Sequence, residues 1–250
     1  MHNDLRFSAR SARQSGAVGP QAAPARGIPP TLLGALPRIL IIRTGSTALE
    51  VQRSHGDYDR WFRDALAGHD LAFDLCDATV SAIPDPSPHA GVIVTGSAKS
   101  VLRPEPWMET LGALLRRAEH LGVPFLCVCF GCQMLARARG GRVVQSPAGW
   151  EIGAVEVALT TAARLDPLFE GLPTPLPVLA THEDRVETLP PGGVLLAGND
   201  SAPIQAFRAA EGHVERLLVG LERFDPIPSR RLLDNFVRLC LRDRSSDQTM

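Results

Sequence analysis

The sequence predicts an α/β domain: a doubly wound, mostly parallel sheet with a β-rich insertion in its second half. Three observations carry that expectation. From Pro37 onward, near-continuous apolar runs bounded by Gly or Pro alternate with amphipathic stretches, the pattern of strands covered on both faces by helices. Strand, helix and strand in alternation close as right-handed crossovers in a parallel sheet. The later half changes to short apolar runs at close spacing, separated by turn residues such as "LPPGG" and "GND". A chain of 250 residues is long enough for one substantial core without division.

The elements follow in order. Residues 1–37 are rich in Ala, Ser, Gly, Pro and Arg with little acid, and are expected to form a disordered tail. The domain is expected over 38–242, with 243–250 as a C-terminal tail. "RILIIR" (Arg38 to Arg43), "GVIVTG" (Gly91 to Gly96) and "VPFLCVC" (Val123 to Cys129) read as buried strands. Between them, "DYDRWFRDALAG" gathers Tyr58, Trp61, Phe62 and Leu66 near one helical face. "PWMETLGALLRRAEHLG" does the same with Trp107, Leu111, Leu114, Leu115 and Ala118. The second half reads as strands in "AVEVALT", "PVLATH", "GVLLAG", "PIQAFR" and "RLLVGLE", the insertion preceding the last strand, and "SRRLLDNFVRLCLRD" closes the chain as an amphipathic helix.

Composition removes several function classes. The formal net charge is -1, which gives no electrostatic case for nucleic acid or an anionic membrane. No apolar run approaches the roughly 20 residues a membrane helix requires. Five cysteines, an odd count with three crowded together, argue against a disulfide framework and for a reducing cytoplasm. No Walker phosphate loop and no GxGxxG after a strand occurs, so no nucleotide cofactor, and no cofactor of any kind, is expected.

The chemistry concentrates in "VPFLCVCFGCQMLARARGG", Val123 to Gly141, where Cys127, Cys129 and Cys132 lie within six residues. Three thiolates would lack the fourth ligand of a structural zinc site, and no second CxxC or HxxxH is present, so no metal is expected. Cys129 and Cys132 also form a CxxC at a strand-to-helix junction, the place of thioredoxin-type redox pairs. A third reading starts from the local geometry. A buried strand ends at Cys129, Gly131 permits a sharp turn and a helix follows, which is the form of a nucleophile elbow. The positive end of the helix favours a thiolate there, and the backbone N–H of Phe130 points toward a developing oxyanion.

"PFLCVCFGCQMLARARGG" resembles the nucleophile motif of class I glutamine amidotransferases, G-x-C-x-G-x-Q followed by a helix ending in paired glycines. Cys129, Gly131 and Gln133 match; Cys127 stands where the family usually has glycine, and Cys132 where it usually has histidine or methionine. "VIVTGSAKSV", "EPWMETLGALLRRA" and "SPAGWEIG" are similar to further family segments in the same order. "THEDRVETLPPGGVLLAGNDSAPIQAF" resembles the GMP-synthase-like branch. The resemblance implies a flavodoxin-like fold and attack of Cys129 on the amide of a bound glutamine or γ-glutamyl compound. A thioester and ammonia result, and water then cleaves the thioester. It places oxyanion donors at the backbone N–H of Ser97 and Phe130, and a glutamine pocket at Gly96, Gln133, Glu151 and Gly153. It also implies, as a possible partner, a separate synthase subunit that receives the ammonia.

The family's triad normally ends in "G-x-Q-F-H-P-E". This chain reads "LLVGLERFD" there, which puts Glu222 in the histidine position and Phe224 in the orienting-glutamate position. Three explanations stay open. Glu222 is itself the base, which requires burial to raise a carboxyl from its ordinary pKa near 4. Alternatively, His182 of "THEDRV" turns toward Cys129 with Glu183 or Asp184 orienting it. Otherwise the glutaminase chemistry is reduced or lost, and the domain serves as a specialised hydrolase or a silent binding partner of a synthase.

Overall fold

The computed structural model describes residues 35–209, 217–218 and 226–245. Its centre is a wholly parallel five-stranded sheet in the order β11-β4-β3-β1-β2. The strands are β1 (Arg38–Arg43), β2 (Ala72–Asp77), β3 (Gly91–Val94), β4 (Phe125–Val128) and β11 (Leu217–Leu218). Ile39 to Ile42 are fully buried, as are Val92 to Val94 and Phe125 to Cys127, because helices cover both faces. β1 pairs with β2 on one side and β3 on the other, so the direction of winding reverses there. In such sheets the crevice beyond the carboxyl ends of the strands is where ligands bind. Thr44, Thr95 to Ser97 and Cys129 leave the sheet at that end.

The helices are α1 (Leu49–His55), α2 (Tyr58–Ala65), α3 (Pro106–His120), α4 (Phe130–Ala138), α5 (Thr161–Arg164) and α6 (Pro226–Ser245). α2 begins at Asp57, whose carboxylate accepts the N–H groups of Tyr58 and Thr47. α3 begins with Pro106, at the position where a missing N–H costs nothing, and buries Met108, Leu111, Leu114, Leu115 and Ala118 along one stripe.

The insertion lies between α4 and β11. It comprises β5 (Arg142–Gln145), β6 (Glu151–Leu159), β7 (Leu176–His182), β8 (Asp184–Thr188), β9 (Val194–Gly198) and β10 (Ala206–Arg208). All its pairings are antiparallel, in a sheet ordered β10-β9-β6-β7 and a separate β5-β8 ribbon. The observed architecture is the α/β fold with a β-rich second half that the sequence patterning predicts.

Several elements carry weaker signals. β2 is an edge strand in which Asp74 and Asp77 interrupt the apolar run, and it leaves Leu75 half exposed. β5 is a short ribbon strand with no fully buried residue. β6 starts at Glu151, three residues before its apolar run, because Glu151, Ile152 and Gly153 continue the ladder opposite β7. β10 takes only Ala206 to Arg208 of "PIQAFR". Of "RLLVGLE", Leu217 and Leu218 form β11; Val219 to Glu222, like the tail at 1–34, lie outside the described residues.

Candidate active site

Cys129 is the hinge between sheet and helix. It has φ 48° and ψ −108°, and among the described residues no other non-glycine residue has a positive φ. Such a backbone costs about 1–3 kcal/mol and persists only where the surroundings over-determine it. Here they do: four buried residues of β4 precede it, and its carbonyl at once accepts the N–H groups of Cys132 (2.9 Å) and Gln133 (3.1 Å), starting α4. The turn that the sequence assigns to Gly131 is therefore made by Cys129 itself. Gly131 serves the packing instead: a Cβ there would stand 2.9 Å from the Val94 carbonyl oxygen, so only glycine lets the first turn of α4 rest on β3. Phe130, the first helical residue, has no intrahelical acceptor for its N–H. Its fully buried ring packs on Trp107 at 5.7 Å.

Beside Cys129 runs the turn after β3. A Cβ on Gly96 would lie 3.5 Å from the Cβ of Cys129 and 3.9 Å from Tyr58, an ordinary contact. Gly96 has no positive φ, so its contribution is open space beside the thiol rather than backbone freedom. The Gly96 carbonyl is held from below by two fully buried hydroxyls, Thr44 Oγ1 and Thr95 Oγ1, each at 2.9 Å. Ser97 Oγ donates to the Thr44 carbonyl at 2.9 Å. Because the peptide is planar and trans, a carbonyl pinned on the Thr44 side leaves the Ser97 N–H pointing the opposite way.

On its other side Cys129 opens onto a narrow cleft. Cys132, Gln133, His182, Asp184 and Gln205 contribute to its walls. Gln133 Nε2 donates to the Asp184 carbonyl (2.8 Å), and His182 Nδ1 lies 3.1 Å from the same oxygen. A carbonyl only accepts, so Nδ1 carries a proton. His182 Nε2 lies 2.9 Å from Glu151 Oε2, close enough for an ionic contact although not aligned for a linear hydrogen bond. Glu151 and His182 are paired directly across β6 and β7, which explains why their side chains meet. Glu151 also accepts from Asn199 Nδ2 (2.8 Å) and Gln205 Nε2 (2.6 Å).

The predicted residues thus fall into three groups. Cys129, Gln133 and His182 meet at one cleft, with Glu151 behind them. Gly96, Ser97 and Phe130 flank Cys129 on the side of the parallel sheet. Gly153 has φ +105°, with open space where a Cβ would stand, and is not among the cleft-lining residues. Glu222 lies outside the described residues. The partner of His182 is Glu151 rather than the side chain of Glu183 or Asp184, the latter's carboxylate accepting the Ser100 hydroxyl. Gln205 carries no motif; its one signal is a lone polar residue within the apolar run "PIQAF".

The neighbouring thiols are held neutral. Burial pushes Cys127 far above the ordinary thiol range, and burial, reinforced by Cys127 and Cys129, does the same to Cys132. Among the described residues no cluster of three or more His, Cys, Asp or Glu is arranged to hold a metal ion. No described helix is long and apolar enough to cross a membrane.

A strained cysteine at a strand-to-helix turn, at the carboxyl end of a parallel sheet, is the form of an α/β protein built around a nucleophile elbow. Residues 67–215 match the family "Glutamine amidotransferase class-I". Over 192 residues the chain is 30% identical to a subunit of the glutamine-hydrolyzing GMP synthase of Methanoculleus marisnigri, spanning 77% of this chain and 97% of that protein. It is 24% identical over 173 residues to "Gamma-glutamyl peptidase 5" of Arabidopsis thaliana, spanning 67% of this chain and 69% of that one. A crystal structure of a glutamine amidotransferase from Thermotoga maritima superposes with a TM-score of 0.64 at 21% identity, over 84% of this chain and 98% of the other. The chain belongs to the class I glutamine amidotransferase family.

Proposed function

We propose that this protein is a cysteine-nucleophile C–N hydrolase acting on glutamine or a γ-glutamyl amide, with Cys129 as nucleophile and an altered acid–base apparatus. The observation that carries the reading is the strained backbone of Cys129, which lifts its side chain between the pinned Gly96–Ser97 peptide and the cleft. The Cys129 sulfur attacks the γ-carbonyl carbon. The carbonyl electrons move to oxygen, where the N–H groups of Ser97 and Phe130 stabilise the charge. Collapse breaks the C–N bond, and the nitrogen leaves with an added proton. Water then cleaves the thioester, returning the thiol and a carboxylate.

The acid–base steps set this chain apart. Both ring nitrogens of His182 are turned to other partners, Nδ1 to the Asp184 carbonyl and Nε2 to Glu151. His182 therefore organises the cleft rather than taking the proton of Cys129, and Glu222 is the carboxyl group that aligns with the base of the family's G-x-Q-F-H-P-E segment. A thiol tolerates a weak base better than a hydroxyl does, because the helix end favours thiolate; proton delivery to a poor leaving group tolerates it less. The enzyme is accordingly slow on free glutamine and faster on γ-glutamyl compounds whose leaving nitrogen is already activated. The similarity to one subunit of a GMP synthase supports delivery of ammonia to a separate synthase subunit.

Ammonia release from glutamine and nitroaniline release from γ-glutamyl-p-nitroanilide test the reading in parallel. The anilide is expected to turn over faster, with both activities abolished in Cys129→Ala and lowered in Glu222→Ala. Fast glutamine turnover that is indifferent to Glu222→Ala contradicts it. No release from either substrate, with or without a partner subunit, leaves the silent binding module as the function.

A further inference from the structure

The cluster behind the cleft is wired so that one acceptor atom is left unmet. Gln205 is 1% exposed and held in place by its own N–H, which donates to the Ala197 carbonyl at 2.9 Å. Its Nε2 donates to Glu151 Oε2 at 2.6 Å. Reversing the amide would set two oxygens against each other, so the carboxylate fixes which end faces it. Glu151 is itself fixed by Asn199 at 2.8 Å and by His182 at 2.9 Å. Gln205 Oε1 is buried and accepts no hydrogen bond from any described group, yet the residue lines the cleft that holds Cys129. A buried amide oxygen without a donor is costly, and such an atom in a native protein calls for a partner, which beside a cleft is a ligand or an ordered water.

We propose that Gln205 is a specificity residue of the cleft, its Oε1 accepting an N–H from a nitrogen-bearing acyl ligand seated against Cys129. The donor is the ammonium group of a γ-glutamyl compound or the N–H of its scissile amide. An acceptor-only atom selects for a donor and against a carboxylate or ester oxygen at the same place, because the wrong ligand leaves two lone pairs facing each other. The inference rests on the reading of Cys129 as nucleophile toward such compounds, and it names the atom that would tell them from other acyl groups.

Binding without turnover is the test. Titration calorimetry on Cys129→Ala compares three ligands: L-glutamine, 4-carbamoylbutanoate, which keeps the amide and lacks the ammonium, and L-glutamate γ-methyl ester, which keeps the ammonium and lacks the amide N–H. The same titrations on Cys129→Ala/Gln205→Leu follow, with Gln205→Met as a second variant and thermal melts as the check on folding. Glutamine is expected to bind roughly ten- to a hundredfold more weakly once Gln205 is replaced. The ligand that lacks the matching donor binds weakly from the start and is indifferent to the replacement. That ligand identifies the donor, the butanoate pointing to the ammonium and the ester to the amide. Equal affinity of all three ligands for the protein that retains Gln205 overturns the proposal, whether or not the variants fold. Absence of binding by all three overturns it too, while nitroanilide release by the unmodified protein separately decides the role of Cys129.

Discussion

His182 on β7 and Glu151 on β6 stand opposite each other with Nε2 and Oε2 2.9 Å apart, His182 in the wall of the cleft onto which Cys129 opens and Glu151 behind it. His182 is 6% exposed, so the pair is largely desolvated, and the Nδ1 proton is committed to the Asp184 carbonyl. Removing the carboxylate strands two donors at once, Gln205 Nε2 and Asn199 Nδ2, and takes away the contact at His182 Nε2. Glu151→Ala is expected to lower stability by about 1–3 kcal/mol, read as a lower midpoint in urea unfolding. An unchanged midpoint contradicts the view that Glu151 organises the cleft.

On the proposed mechanism the Thr44 hydroxyl is a positioning group acting through the Gly96–Ser97 peptide. It sits 2.9 Å from the Gly96 carbonyl oxygen and 3.0 Å from that of Thr95, and Thr44 is not among the residues of the cleft wall. Thr44→Val preserves shape and removes the bond. The expected result is a loss in kcat of about twofold to tenfold with KM nearly unchanged, since Thr95 Oγ1 still holds the Gly96 carbonyl and the Ser97 N–H is less firmly aimed. Thr44→Ser restores the rate. A parallel change in KM, or no rescue by serine, identifies a merely structural role.

Gly131 and Gly112 are both buried helical glycines but differ in what surrounds them. A Cβ at 131 meets the Val94 carbonyl oxygen at 2.9 Å, whereas one at 112, within α3, meets Ala138 Cβ at 3.4 Å. Gly131→Ala is expected to cost about 1–3 kcal/mol and to weaken Cys129 labelling, because the first turn of α4 must shift. Gly112→Ala gains helix propensity and is expected to be neutral or stabilising by up to about 1 kcal/mol. Thermal melts of the two variants distinguish them directly.

At the start of β1 the Arg38 guanidinium, helped by His89, holds the Asp74 carboxyl down at about 2 against the opposing effect of partial burial. A carboxyl lowered in the folded state contributes stability that is present above the unfolded value near 3.9 and is lost as pH falls toward 2. The Asp74 side chain is 37% exposed, so solvent screening keeps the effect small. Melting temperatures of the unmodified protein and Asp74→Asn should differ between pH 5 and 7 and converge near pH 2. A difference that persists unchanged at pH 2 contradicts this assignment.

The parallel sheet was legible because strands buried on both faces leave continuous apolar runs, as in "RILIIR". Edge strand β2 was not, since Asp74 and Asp77 face solvent and ion-pair partners and erase that signature. The place of Cys129 was legible from the run, turn and helix around it. The backbone reason was not: glycine at 131 suggested the bend, yet the positive φ belongs to the cysteine. Glu151, His182 and Gln205 lie far apart in the chain, and only the ladder of β6 with β7 and the bonds across to Gln205 bring them together. Local patterning carries no information about such a register. Nor does any motif mark a glutamine whose importance lies in one unmatched oxygen.

The measurement that tests the central claim most directly is intact mass after incubation with an electrophilic glutamine analogue, a diazoketone, using Cys129→Ala as control. A single adduct on the unmodified protein, absent from the variant, is the predicted result. It would mean that the cleft admits a glutamine-like ligand and that Cys129 is the activated nucleophile. No adduct on folded protein, or an adduct that persists in Cys129→Ala, would contradict that assignment.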